Sequence, residues 1–419
     1  MRDPRMNWAR NITFTAPDLH RPSSVDELRR LVASTRKIRA LGTGHSFNTI
    51  ADSPGDQVSL ADLPSVLHID AERSTVTVGS GVRYGELAPY LQSAGYAVHN
   101  LGSLPHICIA GACATGTHGS GVTNGNLATA VRAIEMVTAS GDLVALDRDH
   151  ADFPGAVVAL GMLGIVTSMT LAIEPTYDVA QSVYDELPFT ELQDHLDDVL
   201  SAAYSASVFT DWRGPLLNAV WLKHRIGSSG VQPAPQQQWF GATLADGPRH
   251  PVPGMAVANC TQQLGVPGPW HERLPHFRLD FTPSNGEELQ SEYFVARASA
   301  RGALDALNSI KDRIAPVRQI AEIRTIAADE LWLSECYGRD SLAPHFTWVK
   351  DSGAVTPVLA AIEEQLAPFG ARPHWGKVFT TSPDLVRSCY DRLPDFTALA
   401  ARYDPTGKFR NDFVDRYIF

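Results

Sequence analysis

The chain is 419 residues long and 44% hydrophobic, enough apolar material for two packed domains with separate cores. Its formal net charge of -11 comes without a cluster of lysines and arginines that could neutralise a run of phosphates, which argues against nucleic acid as a partner. The start, MRDPRMNWARNITF, lacks the continuous apolar core of a secretory signal, and no later stretch approaches the roughly 18 apolar residues needed to span a bilayer, so a soluble, cytoplasmic monomer off the membrane is expected.

Pro22, Ser23 and Ser24 precede VDELRRLVAST, where a serine can cap the free amides and Asp26 and Glu27 occupy a first turn that favours negative charge. A helix is predicted there. KIRALG then predicts a short strand running into GTGHSFN, a turn of Gly42, Thr43, Gly44, His45, Ser46, Phe47 and Asn48. A dinucleotide-binding Rossmann turn needs strand, G-x-G-x-x-G and helix in that order; here the order differs and Phe47 holds the third glycine position, so that reading fails. VLHID and TVTVGSGV predict two strands, and RYGELAPYLQSAG a helix stopped near Gly95.

From Leu101 to Asn126 the chain is dense in glycine, alanine, serine and threonine, nearly uncharged, and too poor in large side chains to pack a core of its own. Small residues let backbone amides approach an anion closely. The loops 42–48 and 111–121 could together wrap a pyrophosphate without a basic patch; for either loop alone the plainer reading is a glycine-rich turn between strands. AIEMVTASGDLVAL predicts a hairpin around Ser140 and Gly141, and LGMLGIVTSMTLAI a glycine-spaced turn feeding a strand. Cys108, Cys113, Cys260, Cys336 and Cys389 are scattered, with no C-x-x-C pair, and read as buried thiols.

Beyond about residue 176 the chain mixes amphipathic helices such as TPVLAAIEEQLAPF with β-rich runs, and GSSGVQPAPQQQWFGATLADGPRHPVPG is expected to be a mobile loop. AEIRTIA, HFTWV and HWGKVFT each have strand character, and side chains two apart share a face. Glu322 and Arg324 therefore project together, as do His345 and Thr347, and Lys377 joins them if its strand lies alongside. Charged residues in such runs are costly to bury unless paired or used. A structural Glu322–Arg324 salt bridge or an exposed sheet face is the alternative.

GTGHSFN, the SLPHI segment before AGACATGTHGSG, the IEMVTASGDL hairpin and the LGMLGIVT turn together resemble the FAD domain of the vanillyl-alcohol-oxidase type flavoproteins. Within that group the chain resembles the alditol (xylitol) oxidases, close kin of the aldonolactone oxidases, from NWARNITFTA to the final GKFRNDF. The resemblance implies an α+β, two-domain FAD-binding fold of the vanillyl-alcohol-oxidase (PCMH) type: an FAD-binding domain at 1–175, an α+β substrate cap at 176–390, and a segment 391–419 that returns to the FAD domain.

By the same resemblance, FAD is joined covalently through His45 to the flavin C8 methyl, chemistry open to a neutral imidazole near pH 7. A single link is expected, since Cys108 and Cys113 fit no attachment pattern. The flavin-binding set comprises Gly42, Thr43, Gly44, His45, Ser46, Phe47, Asn48, Ser103, Gly111, Ala114, Thr115, Gly116, Thr117, His118, Gly164 and Ile165, although His106 and His118 by themselves read as structural histidines. The implied reaction oxidises the terminal primary alcohol of an alditol such as xylitol or sorbitol, with O2 as acceptor, H2O2 as product and no metal. Ser103, Glu322, Arg324, Thr347 and Lys377 match substrate-contacting positions. Lys377 and Arg324 are candidates to stabilise a developing alkoxide, and Ser103, Glu322, Thr347 and His345 to hydrogen-bond along a polyol. Either Lys377 or His345 would take the proton. Gly102, beside Ser103, leaves little bulk near the flavin and is compatible with access by oxygen. An aldonolactone oxidase or dehydrogenase is the nearest alternative, and a flavin-binding protein without turnover a second.

Overall fold

Two large antiparallel sheets organise the chain in a computed structural model that describes residues 5–227, 234–280 and 286–419. The first has five strands in the order Leu67–Asp70, Thr75–Gly79, Ile165–Ala172, Val131–Val137, Leu143–Asp147. Its alternation is clean: Val76, Val78, Met169 and Leu171 point into one core, while Thr77 and Thr170 bond across the strands at 3.0 Å on the other face. Beside it, Leu19–His20, Asp56–Val58 and Ile38–Ala40 form a small parallel sheet. The helix Val25–Ser34, capped by the Ser24 hydroxyl on the Glu27 amide at 3.2 Å, packs Leu28 and Val32 against Ile38 and Val58. The turn 42–48 leaves the end of Ile38–Ala40. Of the small-residue stretch that follows, Ile109–Ala114 is a short helix rather than loop, with Ile109, Ala112 and Cys113 buried in the core of the first sheet.

The second sheet has ten strands among the described residues. Its central run is Asp178–Pro188, Leu216–Ile226, Ser205–Thr210, Arg318–Ile326, Ser341–Trp348 and Leu289–Ala296. One face packs Val208, Leu222, Ile323 and Phe346 under the helices Ala300–Ser309 and Ser352–Leu366, which supply Leu304, Leu307, Leu359 and Ile362. Residues of opposite parity, among them Phe209, Glu322 and His345, turn to the other face. A small part of the stretch expected to be a loop joins this sheet: Gln238–Trp239 and Ala242–Leu244 pair at its edge, and Ala242 is buried. Residues 228–233 of that stretch lie outside the described residues.

HWGKVFT is not a strand. Arg372–Pro373 pairs with Leu289–Ala296, after which the chain turns, bonding the His374 amide to the Glu292 carbonyl and the Val378 amide to the Gln290 carbonyl, both at 2.9 Å. Gly376 sits in that turn and interrupts the alternation that its aromatic and β-branched neighbours suggest. From Trp375 onward the chain packs again with the first core, through Trp375, Val386, Tyr390, Phe396, Leu399 and Phe413. Asn411 Nδ2 donates to the carbonyls of Thr49, Ile50 and Asp52 at 3.1, 3.2 and 2.7 Å, tying the end of the chain to the glycine turn.

Candidate active site

A cavity of about 630 Å³ lies between the glycine turns and the free face of the ten-stranded sheet. On the turn side, Gly42 and Gly111 face the same sulfur: a Cβ on either would fall 2.5 or 2.9 Å from Cys108 Sγ, so Gly42 lets the first turn approach the second segment closely and Gly111 leaves that sulfur room within its own helix. Gly44 adopts φ +69° and its carbonyl accepts from the Trp8 amide at 2.8 Å, bringing the indole to stack on His45 with centroids 5.1 Å apart. His45 Nδ1 is buried with no hydrogen-bond partner among the described residues, and so is Ser80 Oγ. Burial, with the charge of His106, pulls the His45 pKa down to about 4, which leaves the imidazole neutral at pH 7. A small-residue cleft with an unpartnered imidazole nitrogen and hydroxyl, and with Arg21, Arg39 and Arg83 in its walls, fits FAD.

On the sheet side, register does the assembling. Glu292, His345 and Glu322 are direct neighbours across three strands, since Glu292 pairs with His345 and His345 with Glu322. Arg324 and Thr347, two residues along their strands, share that face. Glu292 is the hub: Arg324 and Lys377 donate to its two oxygens at 2.6 Å each, with His118 at 3.2 Å and His345 at 3.5 Å. Burial alone would raise the Glu292 carboxyl, but Lys377 and Arg324, helped by the two histidines, hold it well below the ordinary carboxylate range. Lys377 also donates to His345 Nδ1 at 2.7 Å. Burial and the Lys377 charge bring His345 down to about 4, so its ring is neutral. Burial lowers Lys377 itself, against the pull of Glu292.

The expected Glu322–Arg324 pair is present but loose, at 3.6 Å; Glu322 bonds more closely to His276, at 2.8 Å. His118, Glu292 and His374 offer ligand atoms within 4.8 Å of one another. A divalent cation there would meet Arg324 and Lys377 across a shared carboxylate, an arrangement that low local dielectric makes costly.

Residues 19–147 match the FAD binding domain family, and residues 285–417 the D-arabinono-1,4-lactone oxidase family. An alditol oxidase from a Streptomyces species is 53% identical over 412 residues, covering 97% of both chains. The chain belongs to the alditol oxidase family. An L-gulono-1,4-lactone dehydrogenase from Mycobacterium tuberculosis stands further off, 27% identical with 98% of both chains covered. The crystal structure of a cholesterol oxidase from B. sterolicum superposes with a TM-score of 0.80 at 16% identity, covering 99% of this chain and 96% of that one. That likeness is one of fold, the α+β flavoprotein fold of the vanillyl-alcohol-oxidase type.

In this member of the alditol oxidase family, the cavity is lined by Gly42, Thr43, Gly44, His45, Ser46, Phe47, Ser103, Gly111, Ala114, Thr115, Thr117, His118 and Gly164, together with Glu322, Arg324, His345, Thr347 and Lys377. Three residues expected to bind cofactor are not in its lining. Asn48 donates to the carbonyls of Trp375 and Lys377, both at 2.8 Å, and so holds the lysine turn. A Cβ on Gly116 would fall 2.1 Å from Glu335 Oε2, so its close neighbour is a carboxylate of the 327–340 segment. Ile165 is buried among Leu28, Val32, Val137 and Phe409. Cys389 is half-buried, unlike the other four cysteines. Glu292 and His276 were not anticipated. Glu292 carried the same signal as Glu322, a lone carboxylate in the β-rich run LQSEYFVA. His276 lies in an irregular segment and carried none.

Proposed function

We propose that the chain is an FAD-dependent alditol oxidase that converts the terminal primary alcohol of an alditol such as xylitol or sorbitol to the aldose, with O2 reduced to H2O2. The observation that carries this reading is the row Glu292–His345–Glu322, with Arg324 and Lys377, opening on the same cavity as the two glycine loops. FAD, when bound, supplies the two-electron acceptor that takes hydride from the alcohol carbon and passes the electrons to O2.

The side chains do the rest. An alcohol is a very weak acid, so its proton needs an acceptor and its oxygen a positive neighbour. Lys377 is the acceptor we assign, acting as the free amine that burial favours; once it is an ammonium, Glu292 and the His345 lone pair meet it at 2.6 and 2.7 Å. Arg324, always charged, stabilises the oxygen as the proton leaves. Thr347, Ser103 and Glu322 offer hydrogen bonds along the polyol. Once Lys377 has taken the proton, the two carboxylates Glu292 and Glu322 balance it and Arg324, which suits an uncharged polyol as the proton donor.

His45 is our assignment for covalent attachment, supported by its neutral, unpartnered Nδ1. We assign flavin binding to residues 1–175 and 391–419 and substrate binding to 176–390, with the segment from Trp375 to Tyr390 carrying Lys377 out from the first core. Five unpaired cysteines support a reducing, cytoplasmic compartment. No helix among the described residues is long and apolar enough to cross a membrane. The test is anaerobic addition of xylitol or sorbitol beside L-gulono-1,4-lactone. Bleaching of the flavin by the alditols, and not by the lactone, is expected; the reverse preference would replace the alditol reading by an aldonolactone one.

A further inference from the structure

Lys223, on the strand Leu216–Ile226, is completely buried and has no carboxylate within salt-bridge distance among the described residues. Packing alone gives no reason to keep an ammonium there. Its register, opposite Ser205 with Trp221 opposite Ser207, puts it on the face of the sheet that carries Phe209 and Glu322. Nζ donates to the carbonyls of Leu274 and Pro275, at 2.5 and 3.1 Å, and to His276 Nδ1 at 3.1 Å.

Burial lowers Lys223 to about 7, and as amine or ammonium it can donate to His276 Nδ1, which must accept because the ionised Glu322 carboxylate takes the hydrogen of Nε2. The neutral ring then carries its hydrogen on Nε2, which donates to Glu322 Oε1 at 2.8 Å. The edges of Phe209 and Trp221, with centroids 5.5 and 5.3 Å away, keep the imidazole from turning. Glu322 Oε2, at 3.6 Å from Arg324 Nε, is left with acceptor capacity beside the cavity.

We propose that Lys223 is a positioning residue for polyol recognition: acting through His276, it fixes the Glu322 carboxylate so that Oε2 meets a substrate hydroxyl. This rests on Glu322 as a polyol acceptor.

The experiment uses holoenzyme variants with xylitol as substrate. Lys223→Met raises KM about tenfold or more, on the scale of a lost charged hydrogen bond, and leaves kcat within about twofold. His276→Leu raises KM likewise. His276→Gln, which can still donate to Glu322 and accept from Lys223, restores most of the affinity. In a Glu322→Gln background, Lys223→Met adds less than about twofold, because the group it positions has lost its charge. Should Lys223→Met not fold, the His276→Leu and His276→Gln pair carries the same test. An unchanged KM, equal behaviour of the two His276 variants, or a full Lys223→Met effect on top of Glu322→Gln overturns the proposal. It is overturned also if wild-type flavin is not bleached by xylitol, where the alditol reading itself fails, or if bleaching is normal and Glu322→Gln leaves KM unchanged, where only the role of Glu322 fails.

Discussion

Replacing Glu292 by glutamine preserves the shape of the side chain and removes the charge that faces Arg324 and Lys377 at 2.6 Å each. Arg324 is buried and the Lys377 side chain is 13% exposed, and among the described residues the only other carboxylate in an ion pair with either is Glu322, 3.6 Å from Arg324. Breaking a buried ion pair by removing one partner typically costs about 3–5 kcal/mol. Lys377 can relieve part of that by shedding its proton, so its pKa falls further below the ordinary lysine value. A stability loss of about 3 kcal/mol is therefore expected in denaturant unfolding of the holoenzyme, against a typical total of about 5–15 kcal/mol. The chemistry should suffer in a specific way. A Lys377 of lower pKa is a weaker base, and the ammonium it forms has lost its counterion. Anaerobic flavin reduction by xylitol, followed by stopped flow, should slow by about two orders of magnitude, or ~2.7 kcal/mol, and its pH profile should move to lower pH. Reduction at the wild-type rate with an unmoved pH profile would refute the reasoning, because Glu292 would then be neither counterion nor tuner of Lys377.

Lys377→Met keeps much of the stem and removes the base; flavin reduction should slow by two to three orders of magnitude, ~2.7–4 kcal/mol, while reoxidation by O2 changes far less. Reduction at the wild-type rate would remove Lys377 from the proton transfer and leave Arg324 as the leading group at the alkoxide. His45→Ala should release its flavin on acid precipitation, where the parent protein keeps it in the pellet; acid-stable flavin in the variant would move the attachment to another residue. Stability should fall as the pH drops from about 6.5 to about 4, because buried His276 and His345 are held at about 4 and the unfolded chain binds two more protons at these two positions in that window. Each contributes on the order of 1 kcal/mol per pH unit. Glu335, raised by burial to about 8, works in the opposite sense between about 4.5 and 8, so Glu335→Gln should steepen the acid loss measured by urea unfolding at a series of pH values.

Short-range order made the helix Val25–Ser34, the hairpin at Ser140 and Gly141 and the shared faces of Glu322/Arg324 and His345/Thr347 legible, because each follows from a cap, a turn or the two-residue period of a strand. Adjacency of strands is a long-range property. Nothing local to LQSEYFVA says that it lies beside Ser341–Trp348, so the carboxylate that binds both cations stayed hidden while its less central neighbour Glu322 stood out. Lys377 shows a different failure. Its run had the composition of a strand, yet it reaches the cavity from a turn held by Asn48, Phe47 and Glu292: Asn48 bonds the carbonyls of Trp375 and Lys377, the Phe47 amide bonds the Gly376 carbonyl at 2.8 Å, and the Glu292 carbonyl receives the His374 amide. Asn48 and Phe47 belong to GTGHSFN, the motif that pointed to the flavin. The glycine turn thus contributes to both halves of the site at once, its His45 facing the cavity and its last two residues fixing the lysine opposite. That physical link brings Lys377 to the cavity although the run that carries it is a turn and not the strand its composition suggests.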